Sequence, residues 1–487
     1  MTFFVKLTMF YYAFFVTMNS SDTLSRYLSL PIEEASMLRR RIEQELAKWK
    51  NEPRRKALLL FGARQIGKSY VVREFAKREY DSYVEINFYE QADARKALTS
   101  ASNLQDFLSR LSFFSNGDLV QGRSLVMLDE IQECPDIVTM AKFLVEDGRY
   151  DYVFTGSMLG TELRHVRSFP VGYATELHMY PLDFEEFCWA IGISDAALSA
   201  VRSAYENREP IDDYLHEAML RNFRTYVVCG GMPEVVQRFL DGKGDLAAIR
   251  PLQAELNTQY ELDISKYAPT RAPFIKSIFS QISQQLDDQT RRFIVNSIDP
   301  GARYDRYEQD FLWLVDAGVA LKCDSVSEPR SPLLRTRQAS KFKLYQSDTG
   351  MLVSRYPLST ARSIYLDNGE ANVGGIYENV VAQELAAKGY ELYYHAKGSR
   401  SEVDFVIDGR QGSLPIEVKA GRAYRSHAAL DALLATPDYH AEGGIVFSRA
   451  NVEVDGNVTY LPLYMTSCLP TRGDDPNESF VMETIRV

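Results

Sequence analysis

A chain of 487 residues, 45% hydrophobic and 25% charged, is long enough for about three domains of roughly 150 residues each, which excludes a single small core. Its net charge of −11 and pI near 5.3 exclude a surface that coats nucleic acid along its whole length and confine such contact to local basic patches. Five cysteines, Cys134, Cys188, Cys229, Cys323 and Cys468, occur without a CxxC pair, which excludes a zinc ribbon or disulfide framework and points to the cytoplasm.

The chain opens on "FFVKLTMFYYAFFV" at residues 3–16. Interrupted by Lys6, this apolar run falls short of the roughly 20 residues needed to span a bilayer. No small-residue cleavage site follows in "TMNSSDTL". Residues 1–32 read as a poorly ordered extension, with Met9 and Met18 as alternative starts and a membrane tether as the lesser reading.

A helix is expected over 33–49. Strand-like runs then alternate with helical stretches, "ALLLF", "YVEINF", "SLVMLDE", "YDYVFTG" and "TELHMY", which predicts a parallel α/β sheet over 33–183. After the first run comes "GARQIGKS", the pattern G-x-x-x-x-G-K-[ST] between a buried strand and an amphipathic helix. Gly62, Ala63, Arg64, Gln65, Ile66 and Gly67 form the loop, whose N–H groups turn toward a phosphate at the positive end of the helix. Lys68 supplies charge to the β and γ phosphates and Ser69 a hydroxyl to Mg²⁺. Val71, Val72, Phe75 and Ala76 are expected to face the sheet.

Two carboxylates, Asp129 and Glu130, end the apolar run "SLVML", where burial is costly without a cation or water nearby. Asp129 is the candidate Mg²⁺ partner and Glu130 the candidate base for an attacking water. Thr155 and Ser157 end the next strand and are placed to sense the γ-phosphate.

The alternation stops near Pro181. Asp183 and Glu186 in "PLDFEEF" form a capping-box pattern. Residues 184–350 read as a helical lid whose last helices, near 272–286, 288–297 and 304–317, precede two strand-like runs, "GVALKCD" and "KFKLYQS". Three helices and a two-stranded wing suggest a winged helix. Arg330, Arg335, Arg337, Lys341 and Lys343 in the wing, with Arg422 and Arg425 further on, are candidate phosphate contacts.

Residues 351–487 open a second α/β segment. In "LPIEVKA" the period of two places Glu417 and Lys419 on one strand face. Asp404 lies on the preceding strand and Glu378 on the helix before both. The same residues also suit a cross-strand ion pair.

"GARQIGKS", "LDEIQECPD", "VFTGSMLG" and "YPLDFEEF" together resemble prokaryotic AAA-type P-loop ATPases that carry a winged-helix segment and a C-terminal nuclease-like domain, over about residues 35–450. The resemblance implies ATP as nucleotide, Mg²⁺ and a helical lid. It implies that the Gly231-Met232-Pro233 triplet approaches the nucleotide, although Pro233 also suits a helix start. Relatives often carry Gly-Arg where this chain has Gly172-Tyr173, leaving Arg164 and Arg167 as substitutes for an arginine finger. The Asp404, Glu417, Lys419 and Glu378 set resembles the restriction-endonuclease-like site, which implies a second Mg²⁺ on the three acids with Lys419 activating water. Two functions remain open: an ATPase coupled to a DNA-binding or DNA-cleaving tail, and a regulatory ATP switch whose tail binds a protein or nucleic acid without cutting. Oligomerisation is compatible with either.

Overall fold

The computed structural model describes residues 38–53, 55–115, 119–157, 172–369, 372–398 and 401–472. The N-terminal extension, Arg164 and Arg167 lie outside them. The chain divides into a unit ending at Arg39 and one beginning at Arg40, and all elements below belong to the second. Of the helix expected over 33–49, Ile42–Lys50 is helical.

The strands β1 (Ala57–Phe61), β2 (Ser82–Asn87), β3 (Ser124–Asp129), β4 (Asp151–Thr155) and β5 (Ala174–His178) pair in parallel in the order β2-β3-β4-β1-β5. β1 and β3 are buried throughout, as a parallel sheet covered on both faces requires. The helix Lys68–Glu79 buries the four expected side chains. Leu59, Ile86, Leu128 and Phe154 join Phe107 of the helix Leu104–Phe114 in one core. Parallel strands bring their C-terminal ends to one edge, so the loop after β1 and the carboxylate ending β3 meet there.

Asp183 opens the helix Phe184–Ala190 with the expected capping box, accepting from the Glu186 N–H at 2.8 Å. The helices Asp213–Cys229, Pro233–Asp241, Leu246–Tyr267, Ala272–Asp287 and Tyr304–Asp316 form the helical middle. The helix expected over 288–297 is absent: only a 3₁₀ turn, Val295–Ser297, occurs there. Tertiary partners override local propensity at this point. The Phe293 N–H donates to the Phe342 carbonyl at 2.9 Å, and Arg291 and Arg292 are drawn to Glu378 and Glu402.

The two runs read as a wing do pair antiparallel, as β6 (Ala320–Val326) and β7 (Arg337–Gln346). They are not a free wing. β6 also pairs in parallel with β8 (Leu392–Ala396), which continues into β9 (Glu402–Asp408), β10 (Ser413–Val418), β11 (Gly444–Ser448), β12 (Glu453–Asp455) and β13 (Val458–Pro462). The result is a mixed sheet in the order β12-β13-β11-β10-β9-β8-β6-β7. Residues on both sides of the expected division at 350 therefore share one sheet. The helix Gly374–Ala387 packs beside it, buried at every position from Gly375 to Ala386. All five cysteines are free thiols. Among the described residues no helix is long and apolar enough to cross a membrane.

Candidate functional site

The loop between β1 and the helix Lys68–Glu79 depends on two glycines. Gly62 has φ 147° and Gly67 φ 90°, backbone that side chains disfavour. A Cβ on Gly62 would lie 2.3 Å from the Met179 carbonyl oxygen. Lys68 is buried and donates to the carbonyls of Gly62 at 2.9 Å and Ala63 at 2.7 Å. Burial pushes its pKa down to about 8, against the pull of Glu130 and Asp129.

Asp129 is 3% exposed. Its Oδ2 accepts from Ser69 Oγ at 2.8 Å and Asn87 Nδ2 at 3.1 Å, and its Oδ1 from the Thr155 hydroxyl. Three donors from separate elements thus orient one carboxylate. Glu130 follows in a left-handed conformation, φ 54°, a strained backbone of the sort that gathers at functional sites. The Gln132 amide donates to Glu130 and lies 3.5 Å from Ser157 Oγ. The expected Lys68, Ser69, Asp129, Glu130 and Ser157 are therefore brought together.

Other contacts had no motif to announce them. Arg40 is buried and donates to the Ile66 carbonyl at 2.9 Å, the Tyr180 carbonyl at 2.6 Å and Glu186 Oε2 at 3.2 Å. It ties the loop to the exit of the first sheet. From the helix Leu246–Tyr267, Tyr260 Oη donates to the Arg64 carbonyl at 3.1 Å, Gln259 accepts from Gln65 at 2.7 Å, and Asp263 pairs with Arg64 at 2.5 Å. Their spacing of three and four marks one helical face, but nothing in the sequence names its partner. Pro233 begins its helix and also stands against the loop, its Cγ 3.9 Å from where a Gly67 Cβ would be. The helix start expected of Pro233 is thus observed, beside its contact with the loop.

These groups suit a magnesium nucleotide: a loop shaped by glycines at a helix N-terminus, a buried lysine, and a hydroxyl joined to an oriented carboxylate. In the second set the acids are paired with cations of the chain itself. One Glu378 oxygen takes Arg291, and the other takes Lys343 Nζ at 3.2 Å and Tyr345 Oη at 3.1 Å. Asp404 Oδ2 accepts from the Val418 N–H at 2.9 Å, and its Oδ1 lies 3.9 Å from both Arg291 and Lys343. Glu417 pairs with Lys419 at 2.8 Å. Burial first, then Asp404, hold the Glu417 carboxyl well above the usual range. Lys343, expected to reach a phosphate from the wing, is fully buried and also pairs with Glu402 at 2.7 Å. Among the described residues no three acids, histidines or cysteines are grouped to hold a metal. The chain's own cations thus pair with the acids expected to hold a second Mg²⁺. Arg337 and Arg425 are likewise paired, with Asp324 at 2.8 Å and Glu453 at 2.5 Å.

Residues 54–188 match the AAA domain family, so the first sheet and its loop are an AAA P-loop domain. Residues 220–362 and 373–465 match two domain families of unknown function, DUF8612 and DUF4143. No curated protein matches the chain. Similar solved structures include the Aeropyrum pernix ORC1 protein in complex with DNA, at 13% identity over 67% of this chain and 91% of that one, TM-score 0.25. The Thermotoga maritima RuvB Holliday junction branch migration motor is 15% identical over 62% of this chain and 89% of that one, TM-score 0.23. The S. cerevisiae Hsp104-ADP complex is 11% identical over 57% and 38%, TM-score 0.26. Likenesses this slight add nothing to the assignment, which rests on residues 54–188 and the geometry of the loop.

Proposed function

We propose that this chain binds and hydrolyses ATP with Mg²⁺ and uses the cycle as a conformational switch that its C-terminal sheet reads without cutting a substrate. The contact that carries the first half is Ser69 to Asp129 at 2.8 Å, at the edge where Lys68 and Glu130 also lie. In this reading the loop N–H groups and Lys68 bind the phosphates, and Ser69 and Asp129 hold Mg²⁺. Glu130 takes a proton from water, and Ser157 and Pro233 report occupancy to the lid. Mg²⁺ draws charge from the phosphate oxygens when bound. The second half is supported by the pairing of Glu378, Asp404 and Glu417 with Arg291, Lys343 and Lys419.

The competing reading keeps a restriction-endonuclease-like tail that contacts or cleaves DNA, with Arg330, Arg335, Lys341 and Arg422 on phosphates. One comparison decides between them. Mg²⁺-dependent ATP turnover is expected to fall at least about a hundredfold in Lys68→Ala and Glu130→Gln; equal rates in the variants would overturn the ATPase. The same preparations should leave supercoiled DNA intact. Nicking that disappears in Asp404→Asn and Lys419→Ala would restore the cleaving tail.

A further inference from the structure

The loop has two ends with different surroundings. The Gly67 end faces Arg40, Met179 and Pro233. The Ala63–Arg64 end lies under Gly318, whose Cβ would sit 2.8 Å from the Ala63 N. On this side Arg64 lines a small cavity with Ser157, Tyr260 and Asp263. Lys68 Nζ points to the same end, on the carbonyls of Gly62 and Ala63. The lysine that meets the β and γ phosphates, the serine just beyond β4 and the guanidinium of Arg64 thus share one side of the loop. Glu130 is near enough to act on Arg64: burial opposes its charge, and Asp263 and then Glu130 favour it. The Arg64 side chain keeps 37% of its surface exposed, which leaves it room to swing.

We propose that Arg64 is a catalytic residue of ATP hydrolysis, its guanidinium held on Asp263 here and turning to the terminal phosphate to supply positive charge from within the same chain. The assignment rests on the ATPase reading above. As water oxygen bonds to the γ-phosphorus, the bond from that phosphorus to the bridging oxygen breaks, ADP leaves, and the water proton passes to Glu130. Negative charge grows on the bridging and terminal oxygens, where a planar five-donor cation is most effective. Lys68 alone is a single point charge already committed to the β–γ region.

The alternative is a latch, in which Arg64 and Asp263 only hold lid to loop. The two roles separate in the full chain by titrating ADP with Mg²⁺, with and without aluminium fluoride, into wild type, Arg64→Ala and Asp263→Asn. ADP affinity should stay within about threefold in all three. Aluminium fluoride should tighten ADP in wild type and Asp263→Asn but not in Arg64→Ala, whose turnover should fall about a thousandfold and recover in part with added guanidinium ion. Equal behaviour of the two variants, or tightening retained in Arg64→Ala, overturns the assignment alone. A wild type with neither turnover nor tightening overturns the ATPase reading with it.

Discussion

Asp348 lies just beyond β7, 1% exposed, with one oxygen on the Gly231 N–H at 2.6 Å and the other on the Met351 N–H at 2.8 Å. It clamps the turn that carries Pro233 to the loop. A Cβ on Gly230 would meet Asp348 Oδ1 at 2.3 Å, so both partners are fitted to this contact. Burial pushes the carboxyl up to about 6, against these backbone hydrogen bonds. A folded pKa above the unfolded value of 3.8 contributes stability that is fully present below about pH 4 and lost as pH rises through about 6. The unfolding free energy of wild type minus that of Asp348→Asn is therefore expected to shrink by roughly 2 kcal/mol between pH 4 and pH 7. A difference flat with pH, measured by denaturant titration, would refute that. Lys68, Ser69 and Asp129 were legible because one local motif and one strand end name them. Arg40, Asp263 and Asp348 were not, because each gains its role from a partner far away in the chain.

Many of the buried polar contacts converge on the helix Gly374–Ala387. Asn379 accepts from the Gln346 N–H at 2.8 Å and donates to its carbonyl at 3.0 Å. Gln383 accepts from the Thr349 N–H at 2.8 Å and donates to Tyr226 Oη at 2.8 Å. Glu384 accepts from the Phe184 N–H at 2.8 Å, at the start of the helix leaving the AAA domain, while Glu378 faces the ion-pair cluster. One helix thus touches the exit of the first sheet, the end of β7 and the acids of the second. Its close approach to the helix Ala272–Asp287 needs a glycine: a Cβ on Gly375 would lie 2.3 Å from the Leu286 carbonyl oxygen. Gly375→Ala is expected to cost about 1–3 kcal/mol, against no change for Gly421→Ala, where nothing lies within 4 Å. Thermal melts of the two variants compare them directly, and equal midpoints would refute the close contact.

At the scale of the molecule, β6 and β7 bind the helical middle to the C-terminal sheet. A chain ending at residue 350 would lose β8 as the partner of β6 and strip Phe405 and Glu378 from the fully buried Tyr345. No single cooperative unfolding transition is expected for residues 40–350; a compact, protease-resistant fragment of that length would show the boundary to be real. The sequence by itself determined the AAA core, since phosphate binding requires glycines, a lysine and a hydroxyl at fixed spacing, and buried parallel strands require unbroken apolar runs. It also determined the capping box at Asp183, which is closed within four residues. Only the tertiary structure decided that the wing strands belong to the second sheet, that residues 288–297 do not form a helix and that Glu378, Asp404 and Glu417 are paired with Arg291, Lys343 and Lys419. Strand period shows which face a side chain takes, whereas the neighbouring strand and the charge opposite a buried acid depend on contacts between segments remote in the chain.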